Sequence, residues 1–288
     1  MSKRRGKKPA ASKPSKSSPQ RSPLNKPGRP ASHAASEDED VVAEFRLNLA
    51  FGESRRQVTV RAPMTPLDQT ELLPILQQFD NEVVALAEEE TARTGKTISC
   101  CAGCGACCRQ LVPVAPAEAL RLARLVDSLD EERRATIERR FADAVAAFEQ
   151  AGLTDRFAEA HQTPDEQTRG ELGLAYFRVG VACPFLENES CGIYPDRPLA
   201  CREFLVTSPA ENCQNPGPDN IDRVKLPAQL SETLYRFAPT GDRQGAHWMP
   251  LVMSLAYAAE HRDAKLPKIP GGEFAQRFLA QLSGRANP

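Results

Sequence analysis

The cysteines of this 288-residue chain are confined to two short stretches, and no other feature limits its folding as strongly. Five of the nine lie within residues 100–108 and four within residues 183–213, with none between or outside them. Disulfides rarely persist in a reducing cytosol, and an odd count leaves one thiol unpaired. The N-terminus shows no secretory signal, because no apolar stretch follows its charged residues. The pattern therefore indicates metal or redox chemistry.

The first cysteine stretch spells CxxCxxCC from Cys101 onward. A tetrahedral zinc site holds each sulfur about 2.3 Å from the ion, so the sulfurs must approach within roughly 4 Å of one another. Two intervening residues let a tight turn aim both sulfurs inward, and Gly103 and Gly105 permit left-handed backbone angles there. Adjacent side chains usually diverge. The vicinal Cys107 and Cys108 therefore favour two ions, a polynuclear cluster, or one ligand with a supporting thiol.

The second cysteine stretch is rich in proline, which indicates loops with little regular structure. We expect both stretches to converge on one centre, with the helices between them as scaffold. Four thiolates around Zn²⁺ leave a net charge of about −2, which needs compensation when it is buried. Arg197 and Arg202 are predicted to supply it, and the alternative is an ordinary surface or salt-bridge role. The predicted ligands are Cys101, Cys104, Cys107, Cys108, Cys183, Cys191, Cys201 and Cys213, with Cys100 as the alternate.

The charge distribution predicts two regions. Residues 1–40 hold 10 of the 37 Lys and Arg and 4 of the 38 Asp and Glu. The apolar residues of this segment form no periodic pattern. This composition predicts a disordered basic tail. Residues 41–288 are then a metal-binding domain, with a cysteine core at about 98–215 and C-terminal helices over 228–283.

Hydrophobic periodicity predicts a mainly α fold with a small N-terminal β-hairpin and a loop-built, cysteine-rich metal centre. The hairpin covers residues 41–62, and Thr65 is predicted to cap the helix that follows and ends near Gly95. Further helices are predicted over 116–129, 130–152, 153–161, 166–175, 228–237, 248–262 and 272–283. The apolar run Trp248–Ala259 is too short to span a bilayer and is interpreted as a core helix. These features together predict a cytoplasmic protein.

Three motifs resemble the YkgJ-type cysteine-cluster family, which is described as zinc- or iron-chelating. They are Cys104-Gly105-Ala106-Cys107-Cys108, Cys183-Pro184-Phe185-Leu186 and the run from Cys191 through Arg202. The resemblance implies metal chelation by these cysteines. One branch of the family is similar to the flagellin lysine N-methylases, which implies an iron–sulfur centre and S-adenosylmethionine chemistry.

Three functions compete on the sequence alone. The first is a metal-binding protein without catalysis, which holds zinc or iron. The second is an iron–sulfur enzyme, with a 4Fe-4S cluster as one option, such as a protein lysine methyltransferase. The third is a nucleic-acid-associated zinc protein acting through residues 1–30, which we rank last because the core carries no basic surplus. Because thiolates serve both metals, zinc and iron remain alternatives. The sequence predicts no catalytic residue, substrate or protein partner.

Overall fold

A β-hairpin and a set of α-helices make up most of the structure, a computed structural model that describes residues 41–159, 166–217, 219–237 and 247–284. The predicted disordered tail at 1–40 lies outside these ranges. The helices are α1 (Gln69–Arg93), α2 (Pro116–Asp127), α3 (Glu131–Gln150), α4 (Thr154–Glu159), α5 (Glu166–Val179), α6 (Leu199–Glu203), α7 (Leu230–Arg236), α8 (Ser254–Glu260) and α9 (Gly271–Leu282). The mainly α fold with its N-terminal hairpin is confirmed.

Eight strands pair in four antiparallel two-stranded sheets within these ranges. They are β1 (Val42–Phe51) with β2 (Ser54–Pro63), β3 (Pro66–Leu67) with β8 (Ile269–Pro270), β4 (Pro113–Val114) with β7 (Met249–Pro250), and β5 (Leu186–Glu187) with β6 (Ser190–Cys191). Only the β1–β2 hairpin is long. The pairs β3–β8 and β4–β7 tie distant loops together, whereas β5–β6 is a short local hairpin.

The hairpin lies on α1 and α9 through its apolar face. Val58, Val60 and Ala62 on β2 are buried, while the residues between them are exposed, as alternation predicts. The turn is fixed by Glu90 of α1, whose carboxylate accepts hydrogen bonds from the Ser54 backbone N–H (3.2 Å) and hydroxyl (2.9 Å). The hairpin is therefore anchored to α1 at its tip as well as along its face.

Helix α1 begins three residues later than the sequence predicts. Its N-cap is Asp68, not Thr65, and the side chain of Glu71 returns a 2.8 Å bond to the Asp68 N–H to complete a capping box. Pro66–Leu67 is instead drawn into β3 by pairing with Ile269–Pro270. That long-range pairing is absent from the local pattern, which explains the misplaced cap.

The run Trp248–Ala259 is only partly helical. Met249–Pro250 forms β7 with Pro113–Val114, a 3₁₀ turn follows, and α8 then begins at Ser254. Pro250 lacks a backbone N–H and disfavours helix at the residue before it, so the single predicted helix was wrong in its first half. Among the helices of the described ranges, none is both long and apolar enough to cross a membrane.

Three apolar clusters organise the core. The largest joins the hairpin, α1, α3, α5, α7 and α9, and in it Phe148 of α3 stacks on Tyr176 of α5 at 4.3 Å between ring centroids. A second joins α2, α3 and α8 to the second cysteine stretch, with Phe141 meeting Phe185 edge-on at 5.3 Å. The third is small and lies among the cysteines. The last two clusters position the cysteine-bearing loops.

Helix α6, which carries one cysteine of the second stretch, is held by two buried carboxylates. Glu118 accepts the N–H groups of Ala115 and Leu199, each at 2.8 Å, and so links the starts of α2 and α6. Glu203 at the end of α6 accepts the N–H of Ser231 at 2.9 Å. The short helix would be marginal alone, and these bonds fix its orientation.

Candidate metal centre

The two cysteine stretches lie directly against each other. The backbone N–H of Cys183 donates a 2.7 Å hydrogen bond to the carbonyl of Cys108. Nearby, the 3₁₀ turn Ala106–Arg109 packs on a second 3₁₀ turn, Ala210–Gln214. Thiols from separate parts of the chain therefore share one region, with α2 to α5 as the connection between them.

An ion pair reinforces this contact. The Arg109 guanidinium binds both carboxylate oxygens of Glu189, at 3.0 and 2.6 Å, and also donates to the Gly105 carbonyl at 2.9 Å. Glu189 and Asn188 form the two-residue turn between β5 and β6, with φ of 58° and 50°. The positive φ values are typical of a type I′ hairpin turn. The tip of this hairpin thus rests on the first cysteine stretch.

The two glycines of the first stretch serve different purposes. Gly103 has φ of +83°, the left-handed angle that glycine favours, as predicted. Gly105 has φ of −93°, so it does not use the left-handed angle that glycine permits. It is needed for close approach instead, because a Cβ atom would lie 2.7 Å from both a Glu189 carboxylate oxygen and a Leu186 methyl group.

All nine cysteines are free thiols. Cys101 is exposed, Cys213 is buried, and the other seven are partly buried. Burial raises the pKa of Cys183 to about 12 and that of Cys213 to about 11, because the thiolate form is poorly solvated there. Without a metal, these thiols hold their protons at neutral pH.

Backbone N–H groups donate to several sulfurs. Phe185 N–H reaches Cys183, and Ile193 N–H reaches Cys191, so each donor lies two residues after its acceptor. In both cases burial raises the pKa of the thiol and the N–H bond partly opposes that rise. Such donors stabilise the thiolate form that binds metal.

The vicinal thiols Cys107 and Cys108 meet, although adjacent side chains were expected to diverge. A hydrogen bond from Cys108 is the largest influence on Cys107 and lowers its pKa to about 7, while burial opposes it. The same bond, with burial, raises the pKa of Cys108. The protonation of each thiol therefore depends on that of the other.

Cys107 lies at the middle of the thiols. Burial is the main reason for the raised pKa of five other cysteines, and the charge of Cys107 adds to it in every one. These five are Cys100, Cys183, Cys191, Cys201 and Cys213. They come from both stretches, so the charge of one thiol is felt on both sides.

The positive charge of Arg197 favours the thiolate form of nearby cysteines. Its guanidinium stacks on the Tyr194 ring, 3.8 Å from the centroid, and its buried Nε has no hydrogen-bond partner among the residues described. At Cys191 and Cys201 its charge opposes the rise in pKa that burial causes. It also helps Cys108 to lower the pKa of Cys107. An unpartnered N–H near thiolates suits the predicted charge compensation.

Arg202 occupies a different position from Arg197. Its guanidinium donates to the Arg197 carbonyl at 2.8 Å, to the Pro195 carbonyl, and to Asn81 Oδ1 at 2.9 Å. Burial lowers its pKa. Arg202 therefore fastens the loop that carries Arg197 onto α1, and its effect on the thiols is mainly through that loop.

The fit of a metal can be judged by donor chemistry. Within the described ranges, no three His, Cys, Asp or Glu side chains already stand as a ready metal-binding group. The donor set itself fits, because clustered thiols with backbone N–H donors and a nearby guanidinium suit zinc or iron. The residues that would hold an ion are the predicted cysteines, after their side chains turn toward it.

Sequence reasoning missed two residues of this region. Tyr194 stacks on Arg197, and Glu189 binds Arg109 across the two stretches. Asn188-Glu189 is not a usual two-residue hairpin sequence, and only Asn188, which tolerates the left-handed region, hints at a turn there. No local signal marks Tyr194.

Comparison with known families adds one match. Residues 100–218 match the model of a family described as "CxxCxxCC: Putative zinc- or iron-chelating domain". The matched range starts at the first cysteine and ends just beyond the last, so it contains all nine. No curated protein and no solved structure matches the chain significantly.

Proposed function

We propose that this protein, whose residues 100–218 match the model of a zinc- or iron-chelating domain, chelates zinc or iron through thiolates from both cysteine stretches. The observation that carries the proposal is the direct contact between the two stretches, in which the Cys183 N–H donates to the Cys108 carbonyl at 2.7 Å. This contact brings thiols from both stretches into one region.

The surrounding residues prepare the thiols for this role. The N–H groups of Phe185 and Ile193 and the charge of Arg197 favour the thiolate form that burial opposes. A bound ion would supply the positive charge that the clustered thiolates otherwise lack. The hydrogen bond between Cys183 and Cys108 keeps both stretches in place before an ion arrives.

Metal analysis of the purified chain tests the proposal. Protein prepared anaerobically under reducing conditions is expected to retain zinc or iron, measured by elemental mass spectrometry. The double variant Cys183→Ser/Cys201→Ser is expected to retain less. Ser190→Ala, an exposed neighbour of Cys191, serves as the control and is expected to bind as the wild type does. Wild-type protein without metal, even after reconstitution, would contradict the proposal.

An iron–sulfur centre is the second candidate, and the number of clustered cysteines favours it. The commonest iron–sulfur clusters are held by four cysteine thiolates, and the two stretches offer nine cysteines. An absorption spectrum of the anaerobic protein separates the candidates, since a colourless zinc protein excludes the cluster. The methyltransferase role is supported by resemblance to the flagellin lysine N-methylases alone, and labelled S-adenosylmethionine offered with flagellin would test it.

We also propose a cytoplasmic location and a metal ion as the main partner. Nine free thiols support a reducing compartment, where disulfides seldom persist. The basic segment that raised nucleic-acid binding lies outside the described residues, so that role stays a low-ranked prediction. Salt-dependent binding of the full chain to nucleic acid would revive it.

A further inference from the structure

We propose that the thiols form two adjacent four-cysteine sites, each for one metal ion, and not a single centre. The inference rests on the proposed metal-binding function and adds the number of ions and the division of the ligands. The first site takes Cys104, Cys107, Cys213 and one of Cys100 and Cys101. The second site takes Cys108, Cys183, Cys191 and Cys201.

The packing of the cysteines follows this division. Cys100 and Cys104 lie against a small apolar cluster made of Ala106, Val206 and Cys213. Two thiols of the second stretch pack elsewhere: Cys183 and Cys191 lie against the cluster that contains Phe141, Phe185 and Ile193. Two separate apolar supports therefore hold two separate sets of thiols.

Backbone hydrogen bonds support the same division of the thiols into two sites. The segment before the first site is tied to the loop after α6, because Ser99 N–H donates to the Val206 carbonyl at 2.9 Å. The second site is held by its own hairpin, in which Gly192 N–H donates to the Phe185 carbonyl at 2.8 Å. Cys213 thus joins the first stretch, although it is remote from it in sequence.

Hydrogen bonds to the main chain assign the vicinal pair. Gln110 donates its backbone N–H to the Cys107 carbonyl at 3.0 Å and its side-chain amide to the Cys213 carbonyl at 3.2 Å, which places Cys107 with Cys213 in the first site. The Cys183 N–H donates to the Cys108 carbonyl at 2.7 Å, which places Cys108 with the second. The vicinal pair is then the boundary between two ions.

Ligand number agrees with this division. A structural zinc site takes four protein ligands, so two sites need eight thiols. The chain has nine, and the surplus falls at Cys100 and Cys101, adjacent residues of which one is exposed. The sites also differ in surroundings. The second site packs on the buried cluster that contains Phe141 and Phe185, whereas the first site adjoins the exposed Cys101. The first ion is therefore expected to exchange faster.

Native mass spectrometry of the metal-free full chain titrated with Zn²⁺ tests the inference. We expect two ions in the wild type. The variants Cys104→Ser/Cys213→Ser and Cys191→Ser/Cys201→Ser are each expected to bind one ion. The retained ion shows that a variant is folded. Chelator competition should remove zinc from the wild type in two phases, with the fast phase missing from the first variant.

The possible outcomes separate this inference from the proposed function. A wild type that binds no zinc or iron contradicts the proposed function itself. A wild type that binds one ion overturns only the two-site division. Two ions that are both lost in either double variant also overturn it, because that result indicates one joint cluster. Two ions in the wild type and one in each variant support it.

Discussion

The backbone N–H of Cys183 donates to the carbonyl of Cys108 at 2.7 Å, and this bond joins the two cysteine stretches through main chain alone. It does not depend on the protonation of any thiol. The stretches are therefore expected to remain together in the metal-free protein. An ion then needs to reorganise side chains and not the backbone, which lowers the entropic cost of binding.

Replacing Arg197 with alanine is expected to weaken zinc binding by roughly 10- to 100-fold, the usual effect of losing a group that supports metal ligands. The reason is the loss of the charge that favours the thiolates of Cys191 and Cys201. Affinity would be measured by chelator competition at constant pH. Tyr194→Phe keeps an aromatic ring under the guanidinium and is expected to bind normally. Equal affinities in Arg197→Ala and the wild type would place Arg197 outside the site.

Gly105→Ala is expected to destabilise the protein by about 1–3 kcal/mol, as overpacking of a close contact usually does. The new methyl group would meet Glu189 and Leu186 and lift the β5–β6 hairpin from the first cysteine stretch. Chemical denaturation of the metal-free protein measures the change. Gly173→Ala is the matched control, because nothing lies within 4 Å of its Cβ position in α5 and alanine favours helix there. An unchanged Gly105→Ala stability would show that the hairpin does not pack as described.

Asp80→Asn is expected to remove a pH dependence of stability. Asp80 is fully buried, and burial, helped by the charge of Glu203, raises its pKa to about 8 while Arg202 opposes the rise. Neither carboxylate oxygen of Asp80 accepts a hydrogen bond from an N–H group of the described residues. The folded state then binds more protons than the unfolded state between about pH 4 and pH 8.

Stability is therefore expected to fall as pH rises through that window, by up to about 1.4 kcal/mol per unit. Glu118 on α2 adds a further carboxylate that faces Asp80. Denaturation of metal-free wild type and Asp80→Asn at pH 5 and pH 8 measures the slope. Asp143→Asn, an exposed change on α3, is the control. Parallel slopes in all three proteins would contradict the assignment to Asp80.

Zinc binding near neutral pH is expected to release close to four protons per ion. Burial raises the pKa of Cys183 to about 12 and of Cys213 to about 11, so both lose protons only to the metal. Cys107, with its pKa lowered to about 7 by the bond from Cys108, contributes less. Calorimetry in two buffers of different ionisation enthalpy counts the protons. Release of fewer than about two per ion would show that thiolates exist before the metal binds.

The sequence predicted the fold where local patterns decide it. The alternation of β2 and the periodic apolar face of α3, with Ile137, Phe141 and Phe148 buried, are visible without a structure. The errors fall where distant chain segments pair. Pro66–Leu67 joins Ile269–Pro270, and Met249–Pro250 joins Pro113–Val114, and neither pairing leaves a local signal.

The candidate site shows the same contrast. Cysteine spacing marks the thiols and adjacent arginines, but it cannot tell which arginine faces them. Arg197 and Arg202 look alike in sequence. Only the fold shows that the guanidinium of Arg202 donates its hydrogen bonds to Pro195, Arg197 and Asn81. The sequence shows which residue types can bind the metal, whereas the direction in which each side chain points depends on tertiary contacts.

Placing Cys108 and Cys183 on one ion would turn residues 109–182 into a closed ring of chain. Cross-linking a loop of about 75 residues lowers the conformational entropy of the unfolded chain. In the simple entropic treatment, this raises the free energy of unfolding by about 4 kcal/mol. The helices inside the ring, α2 to α5, carry no cysteine, yet their unfolding would become harder whenever metal is present. The availability of metal would then set the unfolding rate of these helices. Amide hydrogen exchange in α3 would be slower in the metal-bound protein.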